Sequence, residues 1–154
     1  MNNFLKLIIS ISLPLLIGFT SSFITPDFTD WYSTLDKPFF NPPSWLFAPV
    51  WTILYILIGY SFYLIWKDKS LIEIESVSFI YFIHLGLNFL WSPLFFGLRN
   101  PDIAFVELFF LLMSIFYLIL KFYQINKKAG YLLLPYLLWV SFAGVLNFSI
   151  AILN

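Results

Sequence analysis

Residues 31–66 read WYSTLDKPFFNPPSWLFAPVWTILYILIGYSFYLIW, a polar, proline-rich loop followed by a long apolar helix. Pro38, Pro42 and Pro43 each fix their own φ angle and restrict the residue before them, so we expect a stiff loop. Pro49 can stand at the start of a helix, where its missing N–H costs little. The sequence therefore predicts that a rigid loop leads directly into a helix.

An aromatic stripe follows on that helix. Tyr55, Phe62 and Trp66 lie 4, 11 and 15 residues after Trp51, which places all of them on one helix face. We interpret this stripe as one wall of a binding site. Taken alone, these residues indicate only that the ligand is flat or bulky and apolar.

The composition identifies a membrane protein. Of 154 residues, 61% are hydrophobic and only 10% are charged, too few to cover the surface of a soluble domain. The net charge of zero argues against a nucleic-acid partner, which would require a basic face. The absence of cysteine and the single histidine exclude disulfides, thiolate metal sites and multi-histidine metal sites.

Five apolar segments can each cross a hydrocarbon core, which needs about 20 helical residues. These segments cover residues 4–22, 44–66, 71–96, 101–124 and 129–153. They lack the alternation of membrane strands, so we predict an all-α membrane protein, a five-transmembrane-helix bundle forming a single domain over residues 1–154. Asn100 and Pro101 are typical of an N-cap and a first helical residue. Residues 24–43 are expected to form an ordered loop that caps the pocket.

Polar residues mark one face of the third and of the fifth segment. Asparagine facing lipid is costly, so Asn88 and Asn147 should each face a partner helix or a cavity. Both an interhelical hydrogen bond and a ligand contact remain open for them. His84 is interpreted as a packing histidine, and Glu107 is expected to be paired or reached by water. The two faces comprise His84, Asn88, Trp91, Ser92 and Phe95, and Trp139, Ala143 and Asn147.

The distribution of lysines predicts an orientation. With five crossings, the N-terminus and the second and fourth loops share one side, which carries most of the cations. The positive-inside rule then places the N-terminus in the cytoplasm and the first loop outside, so in the plasma membrane of a bacterium the site would open outward. We interpret the first segment as a retained helix, not a cleaved signal peptide. The cations of the inner side are Lys6, Lys67, Lys69, Lys121, Lys127 and Lys128.

Three motifs resemble the translocator protein family, also called tryptophan-rich sensory proteins or TspO. The family pattern W-x-x-L-x-K-P-x-F-x-P-P-W-x-F-x-P-V-W-T-x-L-Y matches residues 31–55, with Leu35 one position later than in the pattern and Ser44 inserted before Trp45. The pattern N-x-x-W-[TS]-P-L-F-F-G matches residues 88–97, and the family's last helix resembles residues 135–147. The resemblance covers nearly the whole chain.

The resemblance implies a pocket between the helices that binds tetrapyrroles, especially protoporphyrin IX, and isoquinoline- and benzodiazepine-type drugs. It implies no obligatory cofactor, a lipid bilayer as the environment, and a homodimer. We found no Gly-xxx-Gly pair that would mark a dimer face. The ligand-binding residues that we predict are Tyr32, Pro42, Trp51, Tyr55, Asn88, Trp91, Trp139, Ala143 and Asn147.

Lys37 and Arg99 are the cations of the predicted outer side. Porphyrin carries two propionates, and charge-assisted hydrogen bonds would favour placing these carboxylates near the two cations. The alternatives are interfacial snorkelling for Arg99 and a pair with Asp36 for Lys37.

With the ligand class that the resemblance implies, three functional classes remain. The first is a binder or sensor that regulates porphyrin levels. The second is a catalyst of light- and oxygen-dependent porphyrin breakdown, in which the indoles of Trp51 and Trp139 would be oxidisable contacts. The third is a porphyrin or sterol transporter, which the missing internal repeat disfavours. No hydrolytic triad, metal set or nucleotide loop is present in the sequence.

Overall fold

The computed structural model describes residues 2–25 and 28–154, without the side chains of Phe28 and Thr29. This part of the chain is helical and contains no strand, and five of its helical segments are long and apolar enough to cross a membrane. The predicted all-α architecture with five membrane-spanning helices is confirmed. The helices are α1 Asn3–Phe23, α2 Phe28–Thr34, α3 Phe47–Trp66, α4 Glu75–Ser92, α5 Pro101–Ile125, α6 Lys127–Leu132 and α7 Leu134–Leu153.

Short irregular turns extend three of the spans. A 3-10 turn, Ser44–Leu46, leads into α3, and a π-helical turn, Pro93–Gly97, continues α4. The last span consists of α6 and α7, which meet at Leu133 just before the proline in the first turn of α7. Asn100 caps α5 as predicted, because its Oδ1 accepts a hydrogen bond from the Ile103 N–H at 3.0 Å.

The third span begins later than predicted. The sequence suggested residue 71, whereas α4 begins at Glu75. The segment before it is occupied by a turn in which the Ser70 N–H donates to Glu73 Oε2 at 2.7 Å and the Glu73 N–H donates to Ser70 Oγ at 3.3 Å. The hydrogen bonds from Ser70 hold the pKa of the Glu73 carboxyl below its ordinary value.

The first loop contains the short helix α2, which the sequence analysis did not predict. Pro26 and Asp27, part of that loop, lie outside the described residues. The rest of the loop is tied to the helix bundle: Trp31 packs edge-on against Phe95 at 5.6 Å between ring centroids. The Asn154 side chain accepts a hydrogen bond from the Asp36 N–H at 2.9 Å and donates one to the Asp36 carbonyl at 3.0 Å.

The first and second spans approach each other closely at a glycine. A Cβ on Gly59 of α3 would lie 2.6 Å from Ile11 Cα and 2.9 Å from the Ser10 carbonyl carbon of α1. Only a glycine lets the two backbones come this near, which is the usual role of small residues between membrane helices.

Lys6 joins the same two helices at the opposite end from the first loop. Its Nζ donates to the carbonyl oxygens of Trp66, Lys67 and Lys69 at 2.9, 3.0 and 2.8 Å. It also lies 5.5 Å from the centre of the Trp66 ring. The ammonium therefore bonds to carbonyls at and just beyond the end of α3, where the intrahelical hydrogen-bond pattern stops.

The aromatic stripe of α3 divides into two parts. Phe62 and Trp66 are buried in the core, where Phe62 stacks on Tyr81 of α4 at 4.1 Å with an interplanar angle of 6°. Trp51 and Tyr55 are only partly buried and lie nearer the first loop. Only the first half of the stripe therefore remains a candidate wall of a binding site, because the second half is core.

Candidate functional site

A cavity of about 790 Å³ lies between α1, α3, α4, α5 and α7. Its lining is mainly aromatic and aliphatic, with a few polar side chains. All of the ligand-binding residues that the sequence predicts, except Pro42, line this cavity: Tyr32, Trp51, Tyr55, Asn88, Trp91, Trp139, Ala143 and Asn147.

Aromatic rings from α3 and α7 form adjoining walls. Trp51 stacks on Tyr55, with ring centroids 5.4 Å apart and an interplanar angle of 29°. Trp51 also meets Tyr136 of α7 edge-on at 6.2 Å. Trp139 of α7 packs edge-on against Phe47 at the start of α3, at 6.1 Å. Such surfaces favour a flat ligand that can stack on them.

Asn88 links three helices at the cavity wall. Its Oδ1 accepts a hydrogen bond from the Tyr55 hydroxyl at 2.9 Å, and its Nδ2 donates to the Tyr136 hydroxyl at 2.8 Å. Sequence reasoning missed Tyr136, although its position one turn before Trp139 could have suggested it. An amide has two donor hydrogens and two acceptor lone pairs, so Asn88 keeps one of each for another partner.

Asn147 makes the same kind of junction on the other side. Its Oδ1 accepts a hydrogen bond from Trp91 Nε1 at 3.1 Å, and its Nδ2 donates to the Pro101 carbonyl at 2.7 Å. Asn147 thus connects α7 with α4 and with the first residue of α5. Both asparagines make interhelical hydrogen bonds, one of the two alternatives that the sequence left open, and both residues also line the cavity.

The π-helical turn brings two consecutive phenylalanines to the cavity. The Leu98 N–H bonds to the carbonyl of Pro93, five residues back, at 2.8 Å. Because this wider turn changes the angular spacing of the side chains, both Phe95 and Phe96 line the cavity. The sequence motif marked this segment but did not reveal the turn.

Tyr32 is a residue of the first loop that lines the cavity. Its ring packs edge-on against Phe96 at 5.8 Å, and its hydroxyl donates to Asn41 Oδ1 at 2.7 Å. Burial raises the pKa of Tyr32 above its ordinary value, and the hydrogen bond with Asn41 partly offsets this. The neutral phenol is therefore the form present at physiological pH.

The first helix supplies lining residues that the sequence analysis did not identify. Gly18 and Ser21 of α1 are buried and face the cavity, and Leu16 and Phe19 form part of its rim. A sequence signal existed: the buried positions Ser10, Pro14, Gly18 and Ser21 form a stripe of small residues at helical spacing.

The cavity opens between α1 and α3. Lining side chains on both helices are exposed there, including Leu16 and Phe19 of α1 and Ala48 and Thr52 of α3. Both helices are long and apolar enough to cross a membrane. An opening between two such helices would let an apolar ligand enter the cavity from the lipid.

Three predicted contact residues lie outside the cavity lining. Pro42 accepts a hydrogen bond at its carbonyl from Asn41 Nδ2 at 3.2 Å. Lys37 Nζ donates to the Leu35 carbonyl at 2.9 Å and lies 4.9 Å from the centre of the Tyr32 ring. Arg99 is exposed in the turn between α4 and α5, with a positive φ of 52°. Lys37 thus adjoins the cavity through Tyr32.

Two buried polar residues lie near the cavity without lining it. His84 is a packing histidine as predicted, with its Nδ1 3.0 Å from Ser114 Oγ. For Glu107 the structure shows no pair: its side chain is buried, and neither carboxyl oxygen has a hydrogen-bond partner among the described residues, so the alternative, contact with water, stays a prediction. Glu107 precedes Ser114 by two helical turns, so it lies on the same side of α5, facing α4.

This fold and this cavity define a class: a multi-pass membrane protein with an aromatic-walled cavity between its membrane-spanning helices. Comparison with known proteins gives the family. The family model described as TspO/MBR matches residues 10–153, and the chain belongs to this family.

Several relatives are similar over most of their length. The tryptophan-rich protein TspO of Archaeoglobus fulgidus is 47% identical over 153 residues, covering 99% of each chain. The protein of the same name from Chlorobaculum tepidum is 43% identical, covering 97% of this chain and 96% of its own. The translocator protein of Bos taurus is 40% identical, covering 77% of this chain and 71% of its own.

Proposed function

We propose that this protein binds flat tetrapyrroles, with protoporphyrin IX as the test ligand, and acts as a membrane sensor or regulator of their level. The observation that carries the proposal is the 790 Å³ cavity lined by both Trp51 and Trp139. Its volume lies within the range of about 300–1,000 Å³ that is usual for small-molecule sites. Isoquinoline- and benzodiazepine-type drugs are also flat and apolar, and we propose them as further ligands.

The polar residues suggest how a porphyrin would be oriented. Its ring would stack between the aromatic walls, near the free donor and acceptor groups of Asn88 and Asn147. Its propionates would point toward the first loop, where Lys37 and Arg99 are the nearby cations. Reversing the charge of both residues should weaken porphyrin binding and spare a neutral drug, whereas equal loss for both ligands would contradict this orientation.

A titration in the dark tests the binding proposal. Protoporphyrin IX should quench the tryptophan fluorescence of the purified protein saturably. Trp51→Phe and Trp139→Phe should each lower the affinity by up to about fivefold, since each indole contributes stacking of about 1 kcal/mol. Trp45→Phe is the matched control, because Trp45 is 72% exposed and lies outside the lining. Absence of saturable quenching would refute the proposal.

A second candidate function is light- and oxygen-dependent porphyrin breakdown. The favouring observation is that two indoles, which a photosensitising ligand can oxidise, line the same cavity. Under illumination, the porphyrin absorption band should then decay only with wild-type protein and survive with Trp51→Phe or Trp139→Phe. A band that survives illumination of the wild-type complex identifies a binder without this activity.

We also propose that the protein lies in the plasma membrane with its N-terminus in the cytoplasm, as a homodimer. The chain has no cysteine, so single cysteines at Ser70 and at Phe39 can report on the two sides. An impermeant thiol reagent added to intact cells should label Phe39→Cys and leave Ser70→Cys unlabelled. The reverse pattern would contradict the orientation, and a monomer by light scattering would contradict the dimer.

A further inference from the structure

We propose that Gly18 is the residue that positions Tyr55, and through Tyr55 the ligand-binding wall of the cavity. Gly18 lies on α1, the helix for which the sequence suggested no role in the site. The predicted effect of Gly18 on ligand binding rests on the proposed function, whereas its predicted effect on the position of Tyr55 does not.

The Tyr55 ring lies directly on the backbone of Gly18. A Cβ on Gly18 would lie 2.5 Å from Tyr55 Cζ and 2.9 Å from Cδ2, closer than any real contact allows. Gly18 is buried, and both residues line the cavity. Any side chain at position 18 must therefore displace the ring or separate α1 from α3.

Displacing that ring would disturb two other contacts. The Tyr55 ring stacks on Trp51, and its hydroxyl donates to Asn88, which in turn donates to Tyr136. The missing side chain of Gly18 thus sets the position of a ring that links α3 to α4 and α7. A substitution at Gly18 on α1 would therefore alter contacts on α4 and α7 through the Tyr55 ring.

The variant Gly18→Ala should lower protoporphyrin affinity by about tenfold or more, because it weakens both the Trp51 stacking and the Asn88 hydrogen bond. The loss should be at least as large as that of Tyr55→Phe, which removes the hydroxyl alone. Wild-type affinity in Gly18→Ala would overturn the proposal.

Other glycines of the chain provide matched controls. Gly144→Ala adds a methyl group whose nearest neighbour is Leu112 Cδ1 at 3.8 Å, an ordinary contact, and should bind like wild type. Gly59→Ala meets the α1 backbone instead of a cavity ring, so it should lower thermal stability while the folded fraction binds normally. If Gly59→Ala lowers the affinity of the folded protein as much as Gly18→Ala, a general loosening of α1 explains both and the proposal fails.

A double-mutant cycle isolates the route through Tyr55. Tyr55→Ala removes the ring, so adding Gly18→Ala to it should change neither affinity nor melting temperature further. If Gly18→Ala alone fails to fold, the double variant decides the matter. A folded double variant supports the proposal, because removing the Tyr55 ring has relieved the clash. An unfolded double variant overturns it, because the added methyl group must then clash with something other than Tyr55.

Spectroscopy separates this inference from the proposed function. The ultraviolet resonance Raman difference between wild type and Tyr55→Phe reports the hydrogen bonding of the Tyr55 hydroxyl without any ligand. That signal should shift in Gly18→Ala and remain unchanged in Gly144→Ala, even if protoporphyrin does not bind the wild-type protein. An unchanged Tyr55 signal in Gly18→Ala would refute the positioning role whatever the ligand.

Discussion

Asn88 and Asn147 each connect three helices while presenting an amide to the cavity. Each accepts one hydrogen bond from an aromatic side chain and donates another. The cost of an asparagine side chain in lipid allowed the sequence to indicate that each must face a partner or a cavity, and in the structure each does both. It could not indicate which partners they meet, because those lie up to 56 residues away in the chain.

Replacing Asn88 by leucine should lower the free energy of unfolding by about 1–3 kcal/mol. Two hydrogen bonds are lost, and each is worth about 0.6–2 kcal/mol between membrane helices. Thermal unfolding in detergent measures the change. Gln124→Leu is the control, because Gln124 is exposed at the end of α5 and should alter stability by less than about 0.5 kcal/mol. Unchanged stability in Asn88→Leu would show that the network contributes nothing.

Glu107 is a buried carboxyl without a hydrogen-bond partner in the described chain. An unsatisfied buried polar group costs about 1–3 kcal/mol, so Glu107→Leu should raise the free energy of unfolding by about that amount. Asp102→Leu should do the opposite, because an acidic residue stabilises the first turn of α5. A Glu107→Leu variant that is less stable than wild type would contradict this reading. A Glu107→Leu variant that is stable but no longer binds the ligand would show that the carboxyl is needed for ligand binding.

At the scale of elements, the ends of α1 and α3 are joined by the Lys6 ammonium. Lys6→Met keeps the apolar stem but removes the charge and the bonds to three carbonyls. We expect a loss of about 1.5–3 kcal/mol, the range for hydrogen bonds to charged groups, measured by thermal unfolding. Lys128→Met is the matched control, because the Lys128 side chain is exposed. Equal stability of the two variants would mean that this cap does not contribute.

The helices themselves could be predicted because apolar length and N-cap chemistry are local. The start of α5 at Asn100 and Pro101 is one example. The π-helical turn, the short helix α2 and the late start of α4 were not predicted. Each depends on contacts with distant parts of the chain or on hydrogen bonds within a turn. Neither of these can be predicted from hydropathy.

At the scale of the molecule, the cavity arises where five spans converge below the first loop. Its walls on α3, α4 and α7 could be predicted because aromatic and amide residues repeat there at helical spacing. The contribution of α1 was not predicted, although its small residues are spaced on one helix face, because the effect of Gly18 on the cavity depends on the Tyr55 ring of another helix.

Filling the cavity is the most direct test of the central claim that this space binds protoporphyrin IX. Ala143 lines the cavity, so Ala143→Phe should occupy it, whereas Gly86 is exposed with nothing within 4 Å, so Gly86→Phe adds a phenyl ring outside it. Dark titration of the folded variants measures affinity, and thermal unfolding confirms that both are folded. We predict a loss of about tenfold or more for Ala143→Phe and wild-type affinity for Gly86→Phe. Wild-type affinity in a folded Ala143→Phe variant would contradict the account.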